Sequence, residues 1–186
     1  MNTRKIAVIA VLVALAVGTN YAMTPLFNVK LMDVIVFIGG ICFGPVVGAL
    51  IGVISWAVYG TLNPYGFFLP IWFATMLSES IYGVVGGLIK TSLNAYRSGA
   101  KNPPETLYVF FGTLGVLLTL IYDVITNIVF GYVSNWSILL AVVGGFVPFG
   151  IAHVISNAFF FGLGCVPAIK ALSNIIGVDR SGIPEE

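Results

Sequence analysis

The sequence predicts an all-α membrane protein, a single integral membrane domain over residues 1–186 built as a bundle of six transmembrane helices with both termini cytoplasmic. Three observations carry that expectation. Hydrophobic residues fill 59% of the 186 positions and charged residues only 8%, with a mean hydropathy of +1.05. The apolar residues run in long stretches punctuated by Gly, Pro and polar residues. Seven of the eight basic residues cluster at three places along the chain. A soluble domain needs roughly 25% charged residues to cover its surface, so these surfaces suit lipid instead. A net charge of +1 gives no reason to expect a nucleic-acid partner.

The apolar runs place spans at about 6–24, 31–43, 45–62, 67–90, 106–131 and 138–171. The first follows Arg4-Lys5 without an A-x-A-like cleavage site and stays apolar to Ala22, which favours a membrane helix over a signal peptide. The second run is short: at ~1.5 Å per residue it reaches about 20 Å of a ~30 Å hydrocarbon core. Joining it to the third would put Gly44-Pro45 in mid-helix, where proline removes a backbone bond and clashes with the preceding turn. A tight helical hairpin follows. The fourth and fifth runs are ordinary spans. The last is too long for one span, and Gly144, Gly145 and Pro148 divide it into an outer segment and a helix of about 149–171.

Charge sets the count and the orientation. Arg4 and Lys5 precede the first span, Lys90, Arg97 and Lys101 follow the fourth, and Lys170 and Arg180 follow the sixth. Short cytoplasmic loops concentrate Lys and Arg. Six spans put all seven on one side and leave only Lys30 outside, whereas merging the second and third breaks that pattern. A short second helix also forces residues 20–32 to dip inward, and irregular backbone at membrane depth survives only when buried in protein or lining a wet cavity. The expectation is a cavity open to the outside.

Ionisable groups within spans are costly and face a cavity or a partner. Glu79, Asp123 and His153 are such groups. Helical spacing puts Trp72, Thr75 and Glu79 on one face, Thr119, Asp123 and Asn127 on another, and His153 with Asn157 on a third, suggesting one polar pocket. Asn63, Tyr65 and Trp136, in the loops after the third and fifth spans, add groups at its rim. Each has a bland alternative. Trp136 suits interfacial anchoring equally well, Asn127 and Asn157 suit interhelical hydrogen bonds, and His153 with Asp123 suits a structural pair. Glu79 and Asp123, with no Lys or Arg at similar depth in their spans, either take up protons or meet a cationic or donor-rich ligand.

Ala10, Ala14, Gly18 and Ala22 recur at spacing four along the first helix. Small residues let helices approach closely in lipid. The stripe reads either as packing inside the bundle or as a docking face for another membrane subunit. Cys42 and Cys165 lie in apolar runs and read as small core hydrophobes, with no Cys/His cluster to suggest a metal or cofactor.

The stretch from Phe37 to Ser55, FIGGICFGPVVGALIGVIS, resembles the second-to-third helix hairpin of S components of energy-coupling factor (ECF) transporters. Ala10-x-x-x-Ala14 is similar to that family's alanine motif, and His153-Val-Ile-Ser-Asn157 to a common family phrase. The resemblance extends over about the whole chain in size, helix count and orientation. It implies a subunit that captures a vitamin or related compound from outside, in a pocket shaped by helices four to six and the loops after helices one, three and five. It also implies a transmembrane coupling protein docked on the alanine motif, two cytoplasmic ATPases that supply the work, and release of cargo by toppling in the membrane. The chain fits that dependence, because Gly86-Gly87-Leu88-Ile89-Lys90-Thr91 fails the phosphate-loop spacing. Glu79, Tyr122, Trp136, His153 and Asn157 match residue types of the thiamine-specific branch, and the anions in the pocket point to a cationic or neutral nitrogen heterocycle.

Three rival classes stay open on the residues alone. One is a structural membrane protein resembling the rod-shape factor of this fold. Another is a membrane enzyme using Asp123 and His153 as an acid–base pair. The third, a channel or proton-coupled carrier, lacks its usual inverted halves and paired broken helices.

Overall fold

A computed structural model describes residues 3–64, 66–97 and 105–176. Tyr65, Lys101 and Arg180 lie outside the described residues. All regular structure among them is helical: α1 (Thr3–Ala22), α2 (Met32–Phe43), α3 (Pro45–Thr61), α4 (Leu69–Arg97), α5 (Glu105–Val133), α6 (Ile138–Gly145), α7 (Ile151–Phe159) and α8 (Cys165–Ile176). The π-helical segments Phe146–Gly150 and Phe160–Gly164 join the last three into one broken column. Stretches within four helices or helical columns are long and apolar enough to cross a membrane: Lys5–Ala22, Leu69–Ile89, Glu105–Val133 and Ile138–Leu172. Helices α2 and α3 are shorter and apolar.

The brevity of α2 follows from where it sits. At ~1.5 Å per residue its 12 residues extend about 18 Å, and nine of them, from Met32 to Ile41, are buried on every side of the helix. It is the central post of the bundle, wrapped by α1, α3, α4 and the final column. The chain turns from α2 into α3 at Gly44, whose φ of +98° is a backbone state that disfavours a side chain, and Pro45 occupies the first turn of α3, where its missing N–H costs nothing.

Glycine holds the hairpin against α4. A Cβ on Gly83 would lie 2.1 Å from the Gly48 carbonyl carbon, and one on Gly40 would lie 2.0 Å from the Gly83 oxygen. Backbones this close gain dispersion contacts that bulkier side chains would prevent. Aromatic rings fill the layer beyond: Phe37 packs on Phe161 at 4.9 Å, and Tyr82 on Phe161 at 5.9 Å.

The break in the last column falls where Gly144, Gly145 and Pro148 forecast it. Val147, with φ −110° and ψ +116°, interrupts the helix just before Pro148, the conformation that a residue preceding proline prefers. The connection from α1 to α2 reaches this break: Asn28 Nδ2 donates to the Phe149 carbonyl at 2.9 Å, and Phe27 stacks on Phe149 at 4.1 Å.

The small-residue stripe points away from the bundle. Ala10, Ala14, Gly18 and Ala22 are exposed, and a Cβ on Gly18 would meet nothing within 4 Å. The buried face of α1 is instead Ile9, Val13, Ala16 and Asn20. Packing within this chain therefore does not explain the stripe. Cys165 is buried and Cys42 half-buried, both as free thiols.

Candidate functional site

A histidine between two carboxylates organises the polar interior. His153, fully buried on α7, sets Nε2 2.6 Å from Asp33 Oδ2 and Nδ1 2.9 Å from Asp123 Oδ1. Asn157, one turn on, donates its amide to Asp33 Oδ2 at 2.6 Å and to Thr119 Oγ1 at 2.7 Å. Tyr82 donates to the same threonine oxygen at 3.1 Å, and the Thr119 hydroxyl donates to the Gly115 carbonyl at 2.7 Å. Four helices, α2, α4, α5 and α7, are thus tied through side chains of high sequence separation.

The chemistry of the triad follows from its geometry. A carboxylate only accepts, so each ring nitrogen either donates its own proton or accepts one from a carboxylic acid. Two hydrogen bonds therefore hold two protons. With two carboxylates and one imidazole, the group carries one net negative charge however those protons are shared. Hydrogen bonds from His153 and Asn157 stabilise that buried charge, although Asp33 Oδ1 and Asp123 Oδ2 have no partner among the described residues.

Above the triad lies a cavity of about 240 Å³. Asp123 lines it, joined by Tyr122, Asn127 and Phe130 from α5, Trp56 from α3, and Thr75 from α4. Asn28 and Lys30 of the α1–α2 connection and Phe149 of the helix break also line it. The Lys30 ammonium rests on two ring faces, 5.3 Å from the Trp56 centroid and 5.0 Å from that of Tyr122, an attraction of cation to π quadrupole. Among the described residues no carboxylate comes within 4 Å of its nitrogen. Asp123 Oδ2 has no hydrogen-bond partner among the described residues and is itself buried, 3.2 Å from where a Cβ on Gly150 would lie, so its acceptor capacity is unmet but covered.

The expected site residues divide into groups. Tyr122, Asp123 and Asn127 line the cavity. His153 and Asn157 sit beneath it and act through Asp33 and Asp123. Glu79 is fully buried behind the cavity wall, where its Oε2 accepts the Trp56 indole N–H at 2.9 Å. The remaining three described candidates lie elsewhere. Trp72 turns to α3, donating to the Ala57 carbonyl at 3.3 Å and stacking edge-on against Phe67 and Phe73. Trp136 packs edge-on against Phe130 at 5.7 Å, outside the lining. Asn63 does not line the cavity, and its carbonyl accepts from the Gly66 N–H in the α3–α4 loop.

One expectation is overturned. The sequence places no Lys or Arg at the depth of the carboxylates, but Lys30 shares a cavity with Asp123. The connection bearing Lys30 reaches Trp56 within α3 and Tyr122 within α5, so loop position did not fix depth. Asp33, Lys30 and Trp56 were not among the candidates. One signal pointed to Lys30: it alone stood apart from the clustered basic residues.

No solved structure matches the chain. A family model for the substrate-specific component of ECF transporters matches residues 4–163. The chain therefore belongs to the ECF transporter substrate-specific components, multi-pass membrane proteins that serve as the substrate-binding subunits of transporters.

Proposed function

We propose that this subunit captures a vitamin or related small molecule in the cavity between Lys30 and Asp123, from the outer side of the cell membrane. The observation that carries the reading is one cavity lined both by Asp123, whose buried Oδ2 has no hydrogen-bond partner among the described residues, and by the Lys30 ammonium, which has no described carboxylate within 4 Å. A small concave site with a few convergent polar groups among apolar walls is what ligand capture needs. Tyr122, Asp123 and Asn127 contact the molecule directly in this reading, while His153 and Asn157 hold Asp123 and the column in place.

Six spans, with both termini cytoplasmic, accommodate the clustered basic residues. The outward face of α1, with Ala10, Ala14 and Gly18, docks on a transmembrane coupling protein, and two cytoplasmic ATPases drive release. The exposure of that stripe and the open space beside Gly18 support the assignment. The structural alternative makes the cavity dispensable.

Purification in mild detergent followed by mass spectrometry of retained small molecules tests capture. One compound at near one-to-one ratio is the expected result, with at least tenfold less retained by Asp123→Asn. Absence of any retained compound, together with no thermal stabilisation by candidate vitamins, would remove the proposal.

A further inference from the structure

The cavity, of about 240 Å³, presents both signs of charge in one small space. The triad brings one net negative charge, which Asp123 carries to the lining, and Lys30 brings one positive charge, within electrostatic reach of the buried Asp33 and Glu79 as well. Each group is held in place. Asp123 is fixed by His153, itself fixed by Asp33. Lys30 is fixed by the faces of Trp56 and Tyr122 and rides on a segment anchored through Asn28 and Phe27 to Phe149. Glu79 does not face the cavity; the Trp56 indole N–H covers it from the cavity side. The intervening walls, Ile71, Phe130 and Phe149, are apolar.

A lone cation entering here meets Asp123 but lies beside the Lys30 ammonium, and a lone anion faces the reverse conflict. At protein-interior dielectrics such a like-charge contact costs far more than in water. A neutral molecule leaves the ammonium donors and the Asp123 acceptor without a charged partner wherever it covers them. One ligand class satisfies all of them. Resting on the capture reading, we propose that the site selects a small zwitterion, with its anionic end on the Lys30 ammonium, its protonated amine on the Asp123 carboxylate, and a short apolar body along Phe130 and Phe149. This departs from the cationic or neutral heterocycle that the sequence favoured, because the sequence did not place Lys30 in the cavity.

The test uses the full chain in lipid nanodiscs, with thermal stability titrated by three probe series of different charge spacing: leucine, 6-aminohexanoate and 4-(aminomethyl)benzoate. Each is compared with its methyl ester, which keeps only the cation, and its N-acetyl form, which keeps only the anion. The expected result is that in at least one series the zwitterion binds tenfold or more tightly than both capped forms. Lys30→Gln should bring that zwitterion level with its ester, and Asp123→Asn should bring it level with its N-acetyl form. Preference for an ester or an N-acetyl compound in every series that binds, or no response to all nine probes, overturns the assignment. So does a zwitterion preference unchanged by Lys30→Gln, a variant that leaves the triad intact. A retained native compound of single charge would overturn the zwitterion while leaving capture standing. Loss of capture itself shows separately, as an empty protein in mass spectrometry.

Discussion

Asp33 Oδ2 lies 2.6 Å from His153 Nε2, so a residue in the first turn of α2 closes on one from the final column across 120 positions of sequence. The same oxygen accepts from Asn157. Removing one partner of a buried charged pair costs about 3–5 kcal/mol, because the other is left uncompensated. Asp33→Ala is therefore expected to lower the melting temperature in detergent more than any other single change in the network. Asp33→Asn, which keeps an acceptor oxygen, should fall between Asp33→Ala and the parent. A melting curve for Asp33→Ala matching the parent would mean that the triad does not hold α2 to α7.

Trp56 serves two neighbours at once, donating to Glu79 and lying under the Lys30 ammonium. Trp56→Phe keeps an aromatic face but leaves the buried Glu79 Oε2 without its donor, which costs about 1–3 kcal/mol. The variant should lose stability yet retain measurable binding of whatever compound the parent retains. Trp56→Leu should lose both, since it also removes the cation–π contact, worth ~0.5–2 kcal/mol. Thermal unfolding and ligand retention measured on the same samples separate these contributions.

At the glycine contacts of the hairpin, space is the whole argument. Gly83→Ala would drive a methyl against the Gly48 backbone at 2.1 Å, whereas Gly18→Ala meets open space. Overpacking of this kind costs about 1–3 kcal/mol when neighbours can move, and here the neighbour is backbone. Gly83→Ala should give little monodisperse protein by size-exclusion chromatography. Gly18→Ala should elute and melt like the parent.

Much of this architecture was legible because lipid imposes strong local rules. Apolar runs mark the helices, Gly44-Pro45 marks the hairpin, and Gly144, Gly145 and Pro148 mark the break. The site was legible only within single helices. Spacing brought Asp123 together with Thr119 and Asn127, and His153 with Asn157, but it carries no information about which faces meet. It also put Trp72 with Glu79, although the Trp72 indole turns to the Ala57 carbonyl. Asp33 was invisible for the same reason. It stands at the start of the short second run, and only packing of the buried α2 brings it to His153.

Asn28 and Phe27 tie the α1–α2 connection to Phe149 by a hydrogen bond and a ring stack, beside the Lys30 contacts with Trp56 and Tyr122. A hydrogen bond of this type contributes about 0.5–1.5 kcal/mol net, and an aromatic pair about 0.5–1.5 kcal/mol beyond its buried area. Asn28→Ala and Phe27→Ala should each speed ligand dissociation several-fold with little change in melting temperature, because the triad below is untouched. Measured by dilution of loaded protein, equal dissociation rates in parent and both variants would show that this segment covers the cavity without retaining its contents.

The exposed stripe on α1 gives the sharpest separation of surface from pocket. Ala14 is exposed and belongs neither to the buried core nor to the cavity lining, so Ala14→Leu adds bulk only on the outward face. Close helix approach through small residues tolerates no such bulk. Co-expressed with a coupling subunit, Ala14→Leu should lose copurification by tenfold or more while binding ligand and melting as the parent does. Ile6→Ala, an exposed apolar residue one turn from Ala10, controls for general loss of surface hydrophobicity and should leave assembly within twofold. Intact assembly of Ala14→Leu would move the docking face elsewhere on the bundle, without altering the case for the cavity.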